Sequence, residues 1–296
     1  MSSLETIAGW PTQLPSRSAV PEPFHSALRA LPLDDDPSTV LLLSPEFRSQ
    51  GYHERSKLLC VAADRIACLE RLPRGVRTTT LERDEVHTVE CGSILLHAWI
   101  RFEASGGDGG DAIEVAFNSV CRELYWAIAR SCRAELYAGW AVPVERERAK
   151  FDVWRLSDYA FMNLAKRGVI EGARVEATFL QRRITGPRRW PLRHRSTPGW
   201  VGIGTQREAI FAHEGDGREE AAYGGRWTTV RKDMIRSVRL ERPAQSPLGE
   251  LRIVFPGNHV HRLVYEATRE LALREYVRGV WPSREVVDRL GAPSGR

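Results

Sequence analysis

The chain has 296 residues, which is enough for two domains of ordinary size and too many for one small barrel. Hydrophobic residues make up 42% of it, so the sequence predicts folded cores rather than wholesale disorder. The formal net charge of +5 permits acidic partners such as phosphate groups, nucleic acid or anionic lipid without requiring them.

Several features of the sequence indicate the cytoplasm. The five cysteines are odd in number and no pair has C-x-x-C spacing, which predicts reduced thiols rather than a disulfide framework. The N-terminal residues contain prolines and lack the apolar stretch of a secretory signal peptide. No apolar run approaches the roughly 18–20 residues that a membrane-spanning helix needs. We therefore expect a cytoplasmic protein without a transmembrane segment.

Residues 1–37 are predicted to form an N-terminal arm. They are rich in Pro and Ser, and the stretch PFHSALRAL predicts one short helix.

Residues 38–136 are predicted to be a domain of short strands closed by one helix. In residues 58–70, LLCVAADRIACLE, an apolar run lies on each side of a polar turn, which indicates a hairpin. Residues 117–132 predict the helix. Its apolar face is expected at Leu124, Ala127, Ile128 and Ser131.

Residues 137–167 are predicted to be a helical linker. The stretch RLSDYAFMNLAKRG predicts a helix, with Ser157 or Asp158 as its N-terminal cap and Gly168 as its C-terminal stop. We expect its apolar residues to pack against the second domain or between both domains, and the alternative is that they bind a partner. These residues are Tyr159, Phe161, Met162 and Leu164.

Residues 168–284 repeat the order of elements of the first domain, and residues 285–296 are predicted to be a tail. Residues 201–214, VGIGTQREAIFAHE, have the same apolar–turn–apolar shape as residues 58–70. The closing helix is predicted at residues 265–280. Its apolar face is expected at Leu273, Tyr276, Val277 and Val280.

The offset between the two copies stays nearly constant along the chain. It is 142 residues at Arg65/Arg207, 149 at Asp84/Asp233 and 148 at Phe117/Tyr265. A steady offset over elements in the same order indicates a true repeat. The second copy is predicted to carry about seven extra residues in a loop near Gly215–Gly225.

The duplicated unit resembles bacterial pleckstrin-homology-like (PH-like) domains, in which a T-x-R or T-D-R turn joins two strands. The matching segments are Ala63-Asp64-Arg65 and Thr205-Gln206-Arg207, and Glu171–Val175 is similar to the G-E-x-V start of the first strand. The resemblance implies an α+β protein of two tandem PH-like domains. Each domain would be a strongly bent antiparallel sheet capped by one C-terminal helix, and such domains generally serve as binding surfaces.

The strongest candidate site is the basic loop of residues 182–195, RRITGPRRWPLRHR. Guanidinium groups match phosphate oxygens in pairs, and an indole stacks on bases or lies at a membrane surface. The candidate ligand- or partner-binding residues are Arg182, Arg183, Arg188, Arg189, Trp190, Arg193 and Arg195. The alternative interpretation is a solvated basic loop whose tryptophan packs on the second domain.

Metal and catalytic signals are weak. His259 and His261 lie on one face of a predicted strand at a spacing that can hold a metal, but no Cys, Asp or Glu nearby in sequence completes the site. The pair Gly202 and Gly204 lacks the third glycine and the following helix of a dinucleotide loop. No catalytic motif has recognisable spacing. We therefore expect no cofactor, no bound metal and no catalysis.

The leading hypothesis is a non-catalytic binding or scaffold module that recognises a protein or an acidic partner through its tandem domains. One alternative is peripheral binding to anionic lipid, or binding to nucleic acid, through the Arg182–Arg195 loop. Both would weaken steeply with added salt. Another alternative is an enzyme with its site in the cleft between the domains, where ligand pockets often form.

Overall fold

A computed structural model describes residues 10–31, 38–49, 52–94, 97–105, 112–185, 196–215, 224–244, 246–282 and 286–290. The chain divides into two compact units, Met1–Cys132 and Arg133–Arg296.

The first unit is built mainly from antiparallel strands. Its strands are β1 (Thr12–Leu14), β2 (Val40–Ser44), β3 (Phe47–Ser49), β4 (Tyr52–Glu54), β5 (Lys57–Val61), β6 (Arg65–Leu72), β7 (Gly75–Glu82), β8 (Val86–Ile94), β9 (His97–Ala104) and β10 (Ala112–Asn118). Its helices are α1 (His25–Ala30) and α2 (Arg122–Ala134), with 3₁₀ turns at Arg17–Ala19, Glu22–Phe24, Arg83–Glu85 and Ser119–Cys121. The last two residues of α2 belong to the second unit.

The strands of the first unit pair in sequence order. β1, β2, β5, β6 and β7 form one antiparallel group, in which each strand pairs with the next. β8, β9 and β10 form a second antiparallel group, and β3 and β4 make a short hairpin.

The second unit has the same kind of architecture. Its strands are β11 (Val175–Gln181), β12 (Ile184–Thr185), β13 (Ser196–Thr197), β14 (Trp200–Thr205), β15 (Glu208–Glu214), β16 (Gly225–Arg231), β17 (Ser237–Arg242), β18 (Leu248–Val254), β19 (Val260–Glu266) and β20 (Val286–Leu290). Its helices are α3 (Val144–Ala149), α4 (Tyr159–Gly168) and α5 (Glu270–Val280), with 3₁₀ turns at Glu135–Tyr137, Lys150–Trp154, Pro256–Asn258 and Ala267–Arg269.

The strands of the second unit also pair in two groups. β11, β14, β15 and β16 form one antiparallel group, and β17, β18 and β19 form another. β12 and β13 make a two-residue ladder at the base of the loop that contains the basic residues. β20 adds to the free edge of β17 in the parallel direction, which the sequence did not predict.

The predicted α+β class with antiparallel sheets and few helices is confirmed. The finer expectation, one strongly bent sheet and one helix in each domain, is not established by these pairings. Within each unit the described strands form two larger groups and one separate two-stranded pair, and both units contain helices besides the closing one.

The strand pairings shift the predicted alignment of the two hairpins by one residue. Val61 pairs with Ile66 across the first hairpin, and Gly204 pairs with Ala209 across the second, so the offset at the turn is 143 rather than 142. Leu81 in β7 and Val230 in β16 hold equivalent pairing positions at an offset of 149. The second unit therefore has six more residues between these strands than the first, where the sequence predicted about seven.

The closing helices bury one face each, and only one face was predicted correctly. In α5 the predicted residues Leu273, Tyr276, Val277 and Val280 are all buried. In α2 the buried residues include Tyr125, Ile128 and Ala129, whereas the predicted Ala127 is exposed. The predicted stripe was therefore rotated by one residue. Both helices also begin later than predicted, at Arg122 and Glu270, because a strand end and a 3₁₀ turn precede each.

The linker helix begins directly after Asp158, one of its two predicted caps, and ends at the predicted stop Gly168. α4 begins at Tyr159, and Gly168 is its last residue. Of the four apolar residues predicted to pack, Phe161 and Met162 are buried, Leu164 is half-buried and Tyr159 is exposed. The helix lies against β14 and β15 of the second unit.

Candidate binding site along strand β11

Two of the seven predicted basic-loop residues lie within the part of the chain that the structure describes, and both contact carboxylates. Arg182 donates from Nε and Nη2 to the two carboxylate oxygens of Asp158 at 2.8 and 2.9 Å. Arg183 donates to Glu214 at 2.9 Å and to the carbonyl of Gly215 at 2.9 Å. The other five lie outside the described residues: Arg188, Arg189, Trp190, Arg193 and Arg195.

The Asp158 contact explains why the predicted helix cap is not made. Asp158 occupies the N-cap position of α4, but its side chain does not hydrogen-bond to the helix backbone. Its carboxylate instead faces Arg182 in a bidentate pair, a geometry that matches the planar guanidinium. The Arg182 hydrogen bonds hold the pKa of the Asp158 carboxyl below its usual value. The pair joins the segment before α4 to the end of β11.

β11 is an edge strand. β14 pairs with one side of it, and among the described residues no strand pairs with the other side. Side chains cover both ends of the free side: Glu147 accepts from the Val175 amide at 2.6 Å, and Arg269 donates to the Leu180 carbonyl at 3.1 Å. Such side-chain cover is one way in which proteins protect an exposed sheet edge. The middle of the edge remains open to a groove.

The groove runs beside this open edge and has a volume of about 740 Å³. Residues 177–181 of β11 form one side, and Arg269, at the N-cap of α5, together with Ala272 and Glu275 of that helix forms another. Trp154 and Asp158, from the segment before α4, close it. Five strand residues extend over about 17 Å, which is enough to bind a short extended segment.

An exposed apolar cluster adjoins the groove. Val153, Leu156 and Tyr159, which we call the 153–159 patch, are 78%, 100% and 62% exposed. Between them lie the groove residues Trp154 and Asp158. Single exposed apolar residues are common, whereas three large ones within seven residues are unusual on a protein surface. Sequence reasoning named only Tyr159 of these three, and assigned it to packing.

The arginines and glutamates that line the groove differ in whether they contact other side chains or main-chain groups. Arg269 lies over the ring of Phe179, 5.7 Å from its centroid, in addition to its bond with Leu180. Glu266 and Glu275 also line the groove, and neither carboxylate forms an ion pair with any residue that the structure describes. The described groove therefore offers two free carboxylates, while both of its arginines are engaged.

A buried polar network surrounds the Thr205-Gln206-Arg207 turn. Glu208 accepts from Arg133 at 3.1–3.3 Å and from the Tyr137 hydroxyl at 2.7 Å. Glu208 is 1% exposed, and burial raises the pKa of Tyr137. Thr205 Oγ1 accepts from the Glu208 amide at 3.0 Å. The network fixes the turn and the segment after α2 onto the second unit, and it is closed to solvent.

The predicted histidine pair lies in different surroundings from those expected. His261 packs beside His213 of β15, with ring centroids 6.5 Å apart, rather than forming a site with His259. The Nε2 atoms of His213 and His261 are buried and have no hydrogen-bond partner among the described residues. Burial lowers the pKa of His261 to about 4 and that of His213 well below its usual value, so both rings are neutral at pH 7. Among the described residues no three potential metal-ligating side chains cluster.

Comparisons with protein-family models and with curated proteins found no match for this chain. Among the described residues, no helix has both the length and the apolar character needed to cross a membrane.

Proposed function

We propose that this protein is a non-catalytic binding module of two tandem PH-like domains that recognises a protein partner. The proposal rests on one observation above the others, the 153–159 patch beside the open groove of β11. Both units have a first antiparallel group, of five strands in the first unit and four in the second, then three more antiparallel strands and a helix, and this order supports the PH-like assignment. A surface that offers apolar side chains and a strand edge is suited to protein rather than to phosphate.

Binding of anionic lipid or nucleic acid through the Arg182–Arg195 loop remains the second candidate. The two described arginines of that loop are neutralised by Asp158 and Glu214, which reduces the positive charge they present. Binding of phosphate groups by this loop would therefore depend on its other basic residues.

Affinity capture from cell extract tests the two candidates against each other. The patch variant, Val153→Ser/Leu156→Ser/Tyr159→Ser, is expected to lose a discrete protein that the wild type retains. Val120→Ser, which changes an exposed apolar residue of the first unit, is the matched control and should retain it. Arg188→Ala/Arg189→Ala should also retain it. Circular dichroism checks that each variant is folded.

Two results would overturn the proposal. One is a protein partner captured equally well by the patch variant. The other is capture of lipid or nucleic acid that is lost on adding salt or on removing Arg188 and Arg189, since contacts to phosphate depend strongly on salt.

A further inference from the structure

We propose that the β11 groove binds an extended, basic segment of the partner, which adds to β11 as a further strand. This inference rests on the proposed function and names its binding mode. Its occupant is a peptide segment of about five residues that carries Lys or Arg.

The main-chain groups of β11 supply the first argument. The Leu180 carbonyl accepts from Arg269 and therefore points away from β14. Main-chain groups two residues apart on a strand point to the same side, so the amide and carbonyl of Thr178 also face the groove. Together with the Leu180 amide, they present donors and acceptors at the spacing of a strand ladder. Edge strands with such groups are templates for strand addition.

The unpaired charges of the groove select the partner's composition. Glu266 lies where β19 ends, and Glu275 lies on the face of α5 that lines the groove. Arg182 is paired with Asp158, whereas Arg269 donates to a neutral carbonyl and keeps its positive charge. The lining still carries three carboxylates, at Asp158, Glu266 and Glu275, against these two guanidinium groups, so one negative charge is in excess. A cationic side chain in the added strand would complement them, whereas an acidic segment would be repelled.

The aromatic wall supplies an anchor for an apolar side chain. The ring centroids of Trp154 and Phe151 are 5.6 Å apart. Because Phe151 is buried, this contact holds the indole of Trp154 in place at the side of the groove. Leu156 and Tyr159 of the 153–159 patch follow Trp154 in sequence and are exposed. We therefore expect the bound segment to combine an apolar residue with a basic one, because rigid aromatic side chains act as anchors in interfaces.

The test uses phage-displayed random dodecapeptides selected on the immobilised full-length chain. Selected peptides are synthesised with a fluorophore and titrated by fluorescence anisotropy. We expect them to contain Lys or Arg and an apolar residue. Glu266→Gln/Glu275→Gln should weaken binding at least threefold and flatten its salt dependence.

Two independent changes test strand addition itself. Thr178→Pro removes the outward amide without removing a bond to β14 and should weaken binding tenfold or more, whereas Thr178→Ala should change it less than twofold. N-methylation of the peptide, one amide at a time, leaves the protein untouched. It should abolish binding at alternate positions only, since alternate amides face β11.

The inference is overturned if no peptide is selected, if the selected peptides are acidic, or if N-methylation is tolerated at every position. Its failure is distinguishable from failure of the proposed function. A partner that is lost from the patch variant but captured by Thr178→Pro would leave the function standing and exclude strand addition. A partner captured by the patch variant would refute the function itself.

Discussion

At the residue scale, the two copies place opposite charges at one position. With the corrected offset of 143, Glu208 of the second unit corresponds to Arg65 of the first. Glu208 is buried and bound by Arg133, which lies near the end of α2, and by Tyr137, which follows that helix. Arg65 is half-buried and pairs with Glu82 at 3.0 Å on the neighbouring strand. Losing its partners should therefore destabilise the fold more at buried Glu208 than at Arg65.

Glu208→Gln is expected to lower the free energy of unfolding of the second unit by about 3 kcal/mol, because it removes the carboxylate charge that faces the buried Arg133 guanidinium. Urea denaturation followed by circular dichroism measures this change. The double variant Arg133→Met/Glu208→Leu should recover most of the loss, since removing both charges also removes the cost of burying them.

The equivalent substitution in the first unit, Arg65→Met, is the matched control. Its ion pair with Glu82 is partly exposed and should contribute less than about 1 kcal/mol. Equal losses for Glu208→Gln and Arg65→Met would contradict the importance assigned to the buried network.

At the element scale, the two units differ in where the large side chains lie at the contact between the closing helix and the strand beneath it. Gly202 and Gly204 of β14 lie under α5, and a β-carbon on Gly202 would be 2.9 Å from Cζ of Tyr276. A β-carbon on Gly204 would overlap Val280. The equivalent positions in β5 are Leu59 and Val61. The corresponding residues of α2, at an offset of 148, are Ile128 and Cys132, so the first unit has larger residues on the strand and smaller ones on the helix.

Gly204→Ala is expected to destabilise the second unit by about 1–3 kcal/mol, because the added methyl group overpacks the contact with Val280. Val280→Ala makes room for that methyl group, so the double variant should be more stable than the sum of the two single changes predicts. Urea denaturation of the four proteins measures the coupling. If the two changes in unfolding free energy simply add in the double variant, Gly204 and Val280 do not pack against each other.

At the scale of the whole molecule, the N-terminal residues belong to the core of the first unit. β1 pairs with β2, and Phe24 and Leu28 are buried in one cluster with Leu58 and Cys60. Burial raises the pKa of the Cys60 thiol to about 12, so almost none of it is thiolate at neutral pH.

Phe24→Ala is expected to cost the first unit about 3–5 kcal/mol by leaving a cavity beside Cys60. A loss of about 3 kcal/mol corresponds to a roughly hundredfold increase in transient opening, and alkylation of Cys60 should accelerate accordingly. Peptide mapping by mass spectrometry at pH 8 measures that rate. Glu22→Ala, at an exposed neighbouring position, is the control. An unchanged rate for Phe24→Ala would mean that the N-terminal segment does not protect the core.

The sequence by itself was sufficient for the α+β class with antiparallel sheets and for the buried face of α5. These features depend on local periodicity, turn residues and apolar spacing, which are visible in one stretch of chain. The buried face of α2 could also have been predicted. With the offset of 148 found at Phe117/Tyr265, Tyr276 and Val277 align with Ile128 and Ala129.

Only the tertiary structure decided which residues meet across the chain. It paired Arg182 with Asp158, 24 residues away, and thereby assigned a predicted ligand-binding residue to the wall of a groove. It also left one side of β11 open, added β20 to β17 and buried Glu208 against Arg133. Sequence patterns record whether a residue prefers burial or exposure. The identity of its partner is set by long-range packing, and the candidate site consists of such contacts.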